Sequence, residues 1–128
     1  MIEKQLSVLL ENKVGVLAEV CKMLAAHGIN IKGISISDTV DHAVLRLIVD
    51  DWHGAIHILG EHGALVVETD VIRVRLDDKP GELATLAENF AREEVNIEYA
   101  YGTSDVNGAT LYLRVSDVKR AEQIIQQK

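Results

Sequence analysis

The sequence predicts an α+β fold made of two copies of one β-α-β-β-α-β unit. The first observation is a repeat: ENKVGVLAEV at 11–20 and DDKPGELATL at 77–86 align on their glycines. The same offset of 66 residues, from Gly15 to Gly81, continues without a gap through both halves. The second observation is that the hydrophobic period changes in the same order in each copy, from the alternation of a strand to helical spacing. Together they indicate an internal duplication.

Each copy opens with a strand and a helix. Residues 72–76 (IRVRL) alternate as a half-buried strand does, and 6–10 (LSVLL) hold the equivalent positions. After the glycine, apolar residues recur at intervals of three and four, which gives one buried helical stripe. The stripe residues are Leu17, Val20, Cys21 and Leu24 in the first copy and Leu83, Leu86, Ala87 and Phe90 in the second. Pro80 suits the first position of a helix, where its missing N–H costs nothing.

A hairpin follows in each copy. The strands are expected at 30–37 and 43–49, then at 96–102 and 109–115. Their connections are turn-prone, and Asn107-Gly108 is among the strongest hairpin signals. The strand at 30–37 is difficult to phase, because Ile34 and Ile36 differ in parity from Ile31, whereas the second copy shows no such conflict. A β-bulge in one copy would reconcile the two.

A second helix and a last strand complete the unit. Asp51 and Asp117 stand where an N-cap belongs, and an apolar stripe follows each of them. Residues 64–69 (ALVVET) give the first copy its final strand, whereas the second copy has no residues left for one. The predicted domains are therefore 1–69 and 70–128. Because a bare sheet edge is a liability, we expect a neighbouring copy or a partner chain to cover the vacant position.

Composition excludes several classes of function. The net charge of −7, without a basic cluster, argues against nucleic acid or an anionic membrane as the partner. No apolar stretch approaches the ~20 residues of a membrane span, and residues 2–5 do not start a secretory signal. Cys21 is the single cysteine, so a reducing cytoplasm is the simplest compartment. We predict no cofactor and no catalytic residues, since neither loop contains a nucleophile–base pair or a phosphate-binding glycine run.

The repeated phrase lies where a strand ends and a helix begins. A helix N-terminus offers unpaired N–H groups and a partial positive charge, so it binds anions readily. The side-chain oxygens of Asn12 and Asp78 could accept hydrogen bonds from an ammonium group. Such a loop can hold the carboxylate and the amine of a free amino acid. The alternative is that the glycine only fits a tight turn and the Asn or Asp only makes an Asx-turn.

The unit resembles the ACT domain, a family of small regulatory modules that bind amino acids. The resemblance rests on the N/D-x-(P)-G-x-L-A phrase that opens the first helix and on Gly28-Ile29-Asn30-Ile31 before the second strand. It covers essentially the whole chain, with one unit per copy, as in stand-alone tandem ACT proteins. Two departures stand out: Val14 replaces the proline in the first copy, and Glu94-Val95 replaces the Gly-Ile pair in the second.

The family implies a ligand between two ACT units, against the strand–helix loop of one and the second-strand start of its neighbour. The implied ligand-binding residues are Asn12, Lys13, Val14, Gly15, Val16 and Leu17 with Asn30 and Ile31, and Asp78, Lys79, Pro80, Gly81, Glu82 and Leu83 with Asn96 and Ile97. Because one loop carries Asn12 and the other Asp78, the two sites should differ in affinity.

The function expected from the resemblance is a non-enzymatic regulatory module, acting as a homodimer that binds a small-molecule amino acid. The alternative is a ligand-independent dimerisation or interaction subunit of an amino-acid-metabolism enzyme. No metal is expected. His53, His57 and Glu61 have a zinc-compatible spacing, but their aligned partners in the second copy include Lys119 and Gln123, which are ordinary solvent-face residues. Three tyrosines of the second copy could line either a ligand pocket or a contact between sheets.

Overall fold

The computed structural model describes residues 1–38 and 41–127, and it confirms an α+β fold of two tandem ferredoxin-like units. In chain order the elements are β1 (Ile2–Glu11), α1 (Val16–Ala26), β2 (Ile31–Asp38), β3 (His42–Val49), α2 (Trp52–Glu61), β4 (Leu65–Leu76), α3 (Glu82–Arg92), β5 (Ile97–Asp105), β6 (Gly108–Val115) and α4 (Val118–Gln126). No helix in the described part of the chain is long and apolar enough to cross a bilayer.

The chain divides into two compact units. One consists of Lys4–Thr69, and the other of Met1–Glu3 together with Asp70–Lys128. We call them the first and the second unit. The division differs in one respect from the domain bounds 1–69 and 70–128 expected from the repeat, since residues 1–3 belong with the second unit. Those bounds remain a prediction about domains.

In the first unit the strands follow the order β2-β3-β1-β4. β3 pairs antiparallel with both β1 and β2. Alternate residues of β1 and β3 point to the same face as α1 and α2 and form the core with them. The buried core residues are Leu6, Val8, Leu10, Val20, Leu24, Ile29, Leu45, Leu47, Val49, Ala55, Ile58 and Leu59. The helices therefore cover one face of the sheet, as the ferredoxin-like pattern requires.

The second unit repeats this arrangement with β4, β6 and β5, and its core is formed with α3 and α4. Its vacant outer position is taken by the start of the chain. The N–H of Arg73 donates to the carbonyl of Met1 at 2.6 Å, and the Arg73 guanidinium lies 3.1 Å from the Glu3 carboxylate. Of the two expected covers for this edge, a neighbouring copy or a partner chain, the structure shows the first, because residues 1–3 lead into the opening strand of the first copy. β1 begins at Ile2, several residues before the apolar alternation starts, and this extension reaches β4.

Both hairpins contain a β-bulge. The pairing register shifts by one residue between Ile31 and Gly33 in β2, and between Ile97 and Tyr99 in β5. The extra residue places Ile34 and Ile36 on the helix side together with Ile31, because Ile34 and Ile36 pair with the core residues Leu47 and Leu45. The expectation of a bulge in one copy only was therefore incomplete.

Candidate ligand-binding site

Two of the four helices begin at a glycine. Gly15 before α1 and Gly81 before α3 have φ values of 90° and 92°, in the left-handed region that favours glycine. Neither helix has a side-chain cap among the described residues. By contrast, α2 and α4 are capped, since Asp51 accepts from the N–H of Gly54 and Asp117 from that of Arg120. In each unit the first helix thus starts without a described side-chain acceptor for its N-terminal amides, although the Val16 N–H of α1 donates to the Lys13 carbonyl at 3.5 Å.

The first loop is open to solvent. The Lys13 N–H donates to the carbonyl of Glu11 at 3.0 Å, and its ammonium lies 3.2 Å from the Glu11 carboxylate. Asn12, Val14 and Gly15 are exposed. A Cβ built at Gly15 would meet no described atom within 4 Å. The glycine is therefore needed for its positive φ and not for close packing, and the helix start is not blocked by the protein's own side chains.

The second loop has the same backbone geometry and a different charge. The Lys79 N–H donates to the carbonyl of Asp77 at 2.9 Å, and the Lys79 ammonium lies 3.3 Å from the Glu82 carboxylate. Within the described residues, Asp77 and Asp78 have no hydrogen-bond or ion-pair partner for their carboxylates. The space above Gly81 is open, as it is above Gly15. The loop combines exposed carboxylates with the uncapped amides of a helix start.

The second-strand starts are held in the same way in both units. The N–H of Asn30 donates to Asp50 Oδ1 at 3.0 Å, and that of Asn96 donates to Ser116 Oγ at 2.9 Å. The Asn residues are exposed. The adjoining isoleucines, Ile31 and Ile97, are half-buried against the two cores. These backbone hydrogen bonds fix the beginning of the strand, and the Asn side chains remain exposed to solvent.

Within one unit, the loop and the second-strand start lie at opposite ends of the sheet. Glu11 pairs with His42 at the beginning of β3, whereas Ile31 pairs with Val49 at its end. Seven steps at ~3.3 Å each separate these positions by ~23 Å along the strand. One amino acid cannot bridge that distance. The residues implied by the family can therefore contact a common ligand only if the loop and the strand start come from different units.

A cleft of about 420 Å³ adjoins the second loop. It is bounded by the loop, by the first turn of α3 and by the adjoining ends of β5 and β6. The lining residues are Leu76, Asp77, Asp78, Lys79, Glu82, Leu83, Gly102, Thr103, Ser104, Ala109 and Leu111. Four of the predicted site residues are thus brought together here: Asp78, Lys79, Glu82 and Leu83. Pro80 and Gly81 lie in the same loop, and Asn96 and Ile97 lie at the other end of β5.

Glycine at position 102 allows β6 and the Leu111 side chain to pack closely against β5. A Cβ on Gly102 would lie 2.2 Å from the carbonyl oxygen of Thr110 and 2.6 Å from Leu111 Cδ2. Without that Cβ, Leu111 lies close over β5 and forms part of the cleft wall. The equivalent residue in the first unit is Ile36. Sequence reasoning missed Gly102 and the β5–β6 residues of the cleft, although the replacement of Ile36 by Gly102 was visible in the aligned repeat.

The first loop adjoins a different cavity, of about 260 Å³. It lies on the other flank of α1, against the end of α2, and Lys13 and Val16 are the predicted residues that line it. Its other lining residues are Leu9, Leu10, Glu11, Glu19, Val20, Met23, Leu59, His62, Gly63 and Ala64. On the β2 flank, Ile34 and Ile36 occupy the area that corresponds to the second-unit cleft. The two loops are equivalent in backbone and unequal in surroundings.

The remaining candidates belong to the scaffold. His57 pairs with Glu61 at 2.9 Å on the exposed face of α2, and no group of three metal-ligating side chains occurs in the described ranges. Tyr101 stacks on Tyr112 with ring centroids 5.5 Å apart. Their strand positions pair directly, on the sheet face opposite the core residue Leu113. None of the tyrosines lines the cleft.

In each of the two ferredoxin-like units, the first helix has a glycine start without a side-chain cap among the described residues. The chain belongs to the ACT domain pair family, whose model matches residues 1–128. No curated protein matches the sequence.

Solved structures extend the comparison. Protein BT0572 from Bacteroides thetaiotaomicron is 35% identical, with 99% of this chain and 88% of that chain covered and a TM-score of 0.95. The ligand-free regulatory subunit of aspartate kinase from Thermus thermophilus is 17% identical, with 97% and 91% covered and a TM-score of 0.71. The regulatory subunit of aspartate kinase from Thermus flavus is 18% identical, with 99% and 94% covered and a TM-score of 0.67. The two kinase subunits establish a likeness of fold.

Proposed function

We propose that this protein is a non-enzymatic regulatory module that binds a free amino acid at the glycine start of a first helix. The observation that carries the proposal is the contrast between capped and uncapped helices. Asp51 and Asp117 cap the second helices, whereas Gly15 and Gly81 leave the first-helix amides open. A carboxylate would supply the missing acceptors. Membership of the ACT domain pair family supports an amino acid as its source.

The site is completed by a second ACT unit from another copy of the chain. The ~23 Å along β3 that separates the pairing positions of Glu11 and Ile31 supports the need for a second unit. A homodimer would bring the loop of one copy to Asn30 or Asn96 of the other. The exposed Asn side chains could then accept from or donate to the bound molecule. The regulated partner would be an enzyme of amino-acid metabolism, and the location would be cytoplasmic.

The affinity can be bounded. An amino acid has about eight non-hydrogen atoms, and ~0.5–1 kcal/mol per atom corresponds to a dissociation constant between millimolar and micromolar. The test is therefore thermal unfolding with each common amino acid at millimolar concentration, since binding to the folded state raises the melting temperature. We expect at least one amino acid to stabilise the protein.

Two analogues of that amino acid serve as controls. The N-acetyl derivative lacks the ammonium group, and the amide derivative lacks the carboxylate. If the zwitterion is recognised as proposed, neither analogue stabilises the protein. Stabilisation by the N-acetyl form alone would indicate a simple anion site. A flat response across the whole panel would contradict the binding function.

An interaction subunit is the second candidate, and one observation favours it. Leu17, Ile34 and Ile36 on the β2 flank of the first unit remain 38%, 48% and 51% exposed. Exposed apolar residues on an edge strand and the neighbouring helix are typical of an interface. Sedimentation at micromolar concentration distinguishes the cases: ligand-independent dimers that Ile36→Lys dissociates, together with a flat amino-acid panel, would support this alternative.

A further inference from the structure

We propose that the second unit alone provides the loop that binds the ligand, in the cleft between the start of α3 and the ends of β5 and β6. This inference rests on the proposed function and assigns it to one of the two copies. The cleft holds about 420 Å³, within the range of small-molecule sites. Beside the duplicated loop of the first unit, the strand carries Ile34 and Ile36 where the second unit has Ala100 and Gly102.

The difference between the two flanks follows from two substitutions between the copies. Ala100 and Gly102 stand on the helix side of β5 because they pair with Leu113 and Leu111. Their equivalents on β2, Ile34 and Ile36, pair with Leu47 and Leu45. Each isoleucine adds a branched side chain on that flank, whereas alanine adds only a methyl group and Gly102 lets Leu111 lie close to β5 as part of the cleft wall. Position 102 cannot accept even a methyl group without a clash with the Thr110 carbonyl.

The cleft lining matches the chemistry of a small zwitterion with a short side chain. The uncapped amides of the α3 start offer donors for the carboxylate. The carboxylate of Asp78 has no described partner and can accept from the ammonium. Leu76, Leu83 and Leu111 form an apolar wall, and Ser104, on the helix side of β5, lines the cleft beside them. A side chain that is small and apolar, or that carries a hydroxyl group, fits these groups.

The first loop lacks two of these features. Its aligned acidic position is the neutral Asn12, so an ammonium group would gain less there. At the strand position of Gly102 the first unit has the larger and exposed Ile36. The cavity that does adjoin this loop lies on the other flank of α1, over buried core residues such as Leu10 and Leu59. The two loops therefore present different groups to a ligand in spite of their matching φ values.

The duplication supplies matched variants for the test. Ser104→Trp places a large side chain in the cleft from an exposed position on β5, and Asp38→Trp makes the same change at the aligned exposed position of β2. Asp78→Ala and Asn12→Ala form a second pair in the loops. All four full-length variants are examined by thermal unfolding and calorimetric titration with the common amino acids, each tested singly.

We expect Ser104→Trp and Asp78→Ala to weaken binding at least about ten-fold, and Asp38→Trp and Asn12→Ala to retain wild-type affinity. Binding that is lost in the first-unit variants instead, or equally in both units, would overturn the assignment and leave the proposed function standing. If the wild-type protein binds none of the amino acids, both proposals fail. Far-ultraviolet circular dichroism verifies that every variant is folded, and Ser104→Ala checks the tryptophan substitution.

Discussion

The first unit carries Ile34 and Ile36 on the helix side of its edge strand, and the second unit carries Ala100 and Gly102 at the same places. The residues opposite these positions on the next strand are the same type in both units. Leu45 of β3 aligns with Leu111 of β6, and both face the core side of their sheets. One copy therefore has exposed isoleucines at this edge, and the other has a cleft. The two copies share the glycine dihedral angles and the strand register, and they differ in the side chains on this flank.

The difference teaches that the glycine phrase alone does not define a binding site. Gly15 and Gly81 have φ values within a few degrees of each other, and both helix starts lack a side-chain cap. What differs is the side chains of the neighbouring strand, which begins 16 residues after the glycine in each unit (31 − 15 and 97 − 81). Loop geometry provides donors for an anion, whereas the bulk of the strand side chains decides whether a ligand has room beside them.

The largest expected effect tests whether the two cores contribute equally. Phe90 and Leu24 occupy the same aligned position and are both fully buried. We expect Phe90→Ala to lower the free energy of unfolding by about 3–5 kcal/mol and Leu24→Ala by about 2–5 kcal/mol, because each leaves a cavity. Urea unfolding measures the loss.

The two units can be followed separately in that experiment. Trp52 is the only tryptophan and lies in the first unit, whereas all three tyrosines lie in the second. Tryptophan fluorescence and tyrosine circular dichroism thus report on different units. A loss below about 1 kcal/mol in either variant would contradict its assigned place in the core.

A smaller effect is expected where the helices end. Gly28 follows α1 with φ 71°, and Glu94 stands at the same position after α3 with φ 58°, the only described non-glycine residue with positive φ. A residue with a Cβ is disfavoured there by about 1 kcal/mol. We expect Glu94→Gly to raise the stability by that amount and Gly28→Glu to lower it.

Thermal unfolding of both variants measures these changes. Glu94→Ala is the control, since it removes the charge but keeps the Cβ. If Glu94→Ala stabilises the protein as much as Glu94→Gly does, charge and not backbone strain distinguishes the two helix ends.

The smallest effect concerns pH. Tyr112 stands where the first unit has Arg46. Burial raises the pKa of its phenol above 10.0; the Glu3 carboxylate adds to this shift and Arg73 partly opposes it. The protonated phenol is therefore favoured in the folded state. Stability should fall as the pH rises from about 10 through the raised pKa, because the unfolded chain ionises first.

Absorbance of the phenolate during an alkaline titration measures this pKa, with Tyr112→Phe as the reference that removes its contribution. Glu3→Gln should bring the pKa of Tyr112 closer to its ordinary value. No change in the titration of Glu3→Gln would contradict the placement of residue 3 beside the second sheet.

Much of the fold could be predicted from the sequence, because its signals are local. Alternation in IRVRL, helical spacing after Gly81 and the Asn107-Gly108 turn each depend on neighbouring residues. The bulges could not be counted reliably. In the second copy Ile97, Tyr99 and Tyr101 have one parity, which matches an unbroken strand, yet the extra residue places Ile97 on the helix side and the tyrosines opposite.

The candidate site was predictable only in part. Asp78, Lys79, Glu82 and Leu83 came from the repeated phrase and do line a cleft. The opposite wall comes from β5 and β6, whose approach depends on the missing Cβ of Gly102. The sequence does show Ile36 in the first copy where the second has Gly102. This difference points to a cleft only when position 102 is known to face the helix side of the sheet. Pairing of Met1 with Arg73 joins residues 72 positions apart and had no local signal.

The three residues at the start of the chain make the two halves of the duplication inseparable as fragments. A cut between Thr69 and Asp70 would yield a C-terminal piece with the outer side of β4 bare at Arg73, and an N-terminal piece whose first residues have lost their neighbour. Bare strand edges recruit other chains. A soluble fragment of the second unit would therefore need the peptide MIE restored to it, for example by circular permutation through a short linker.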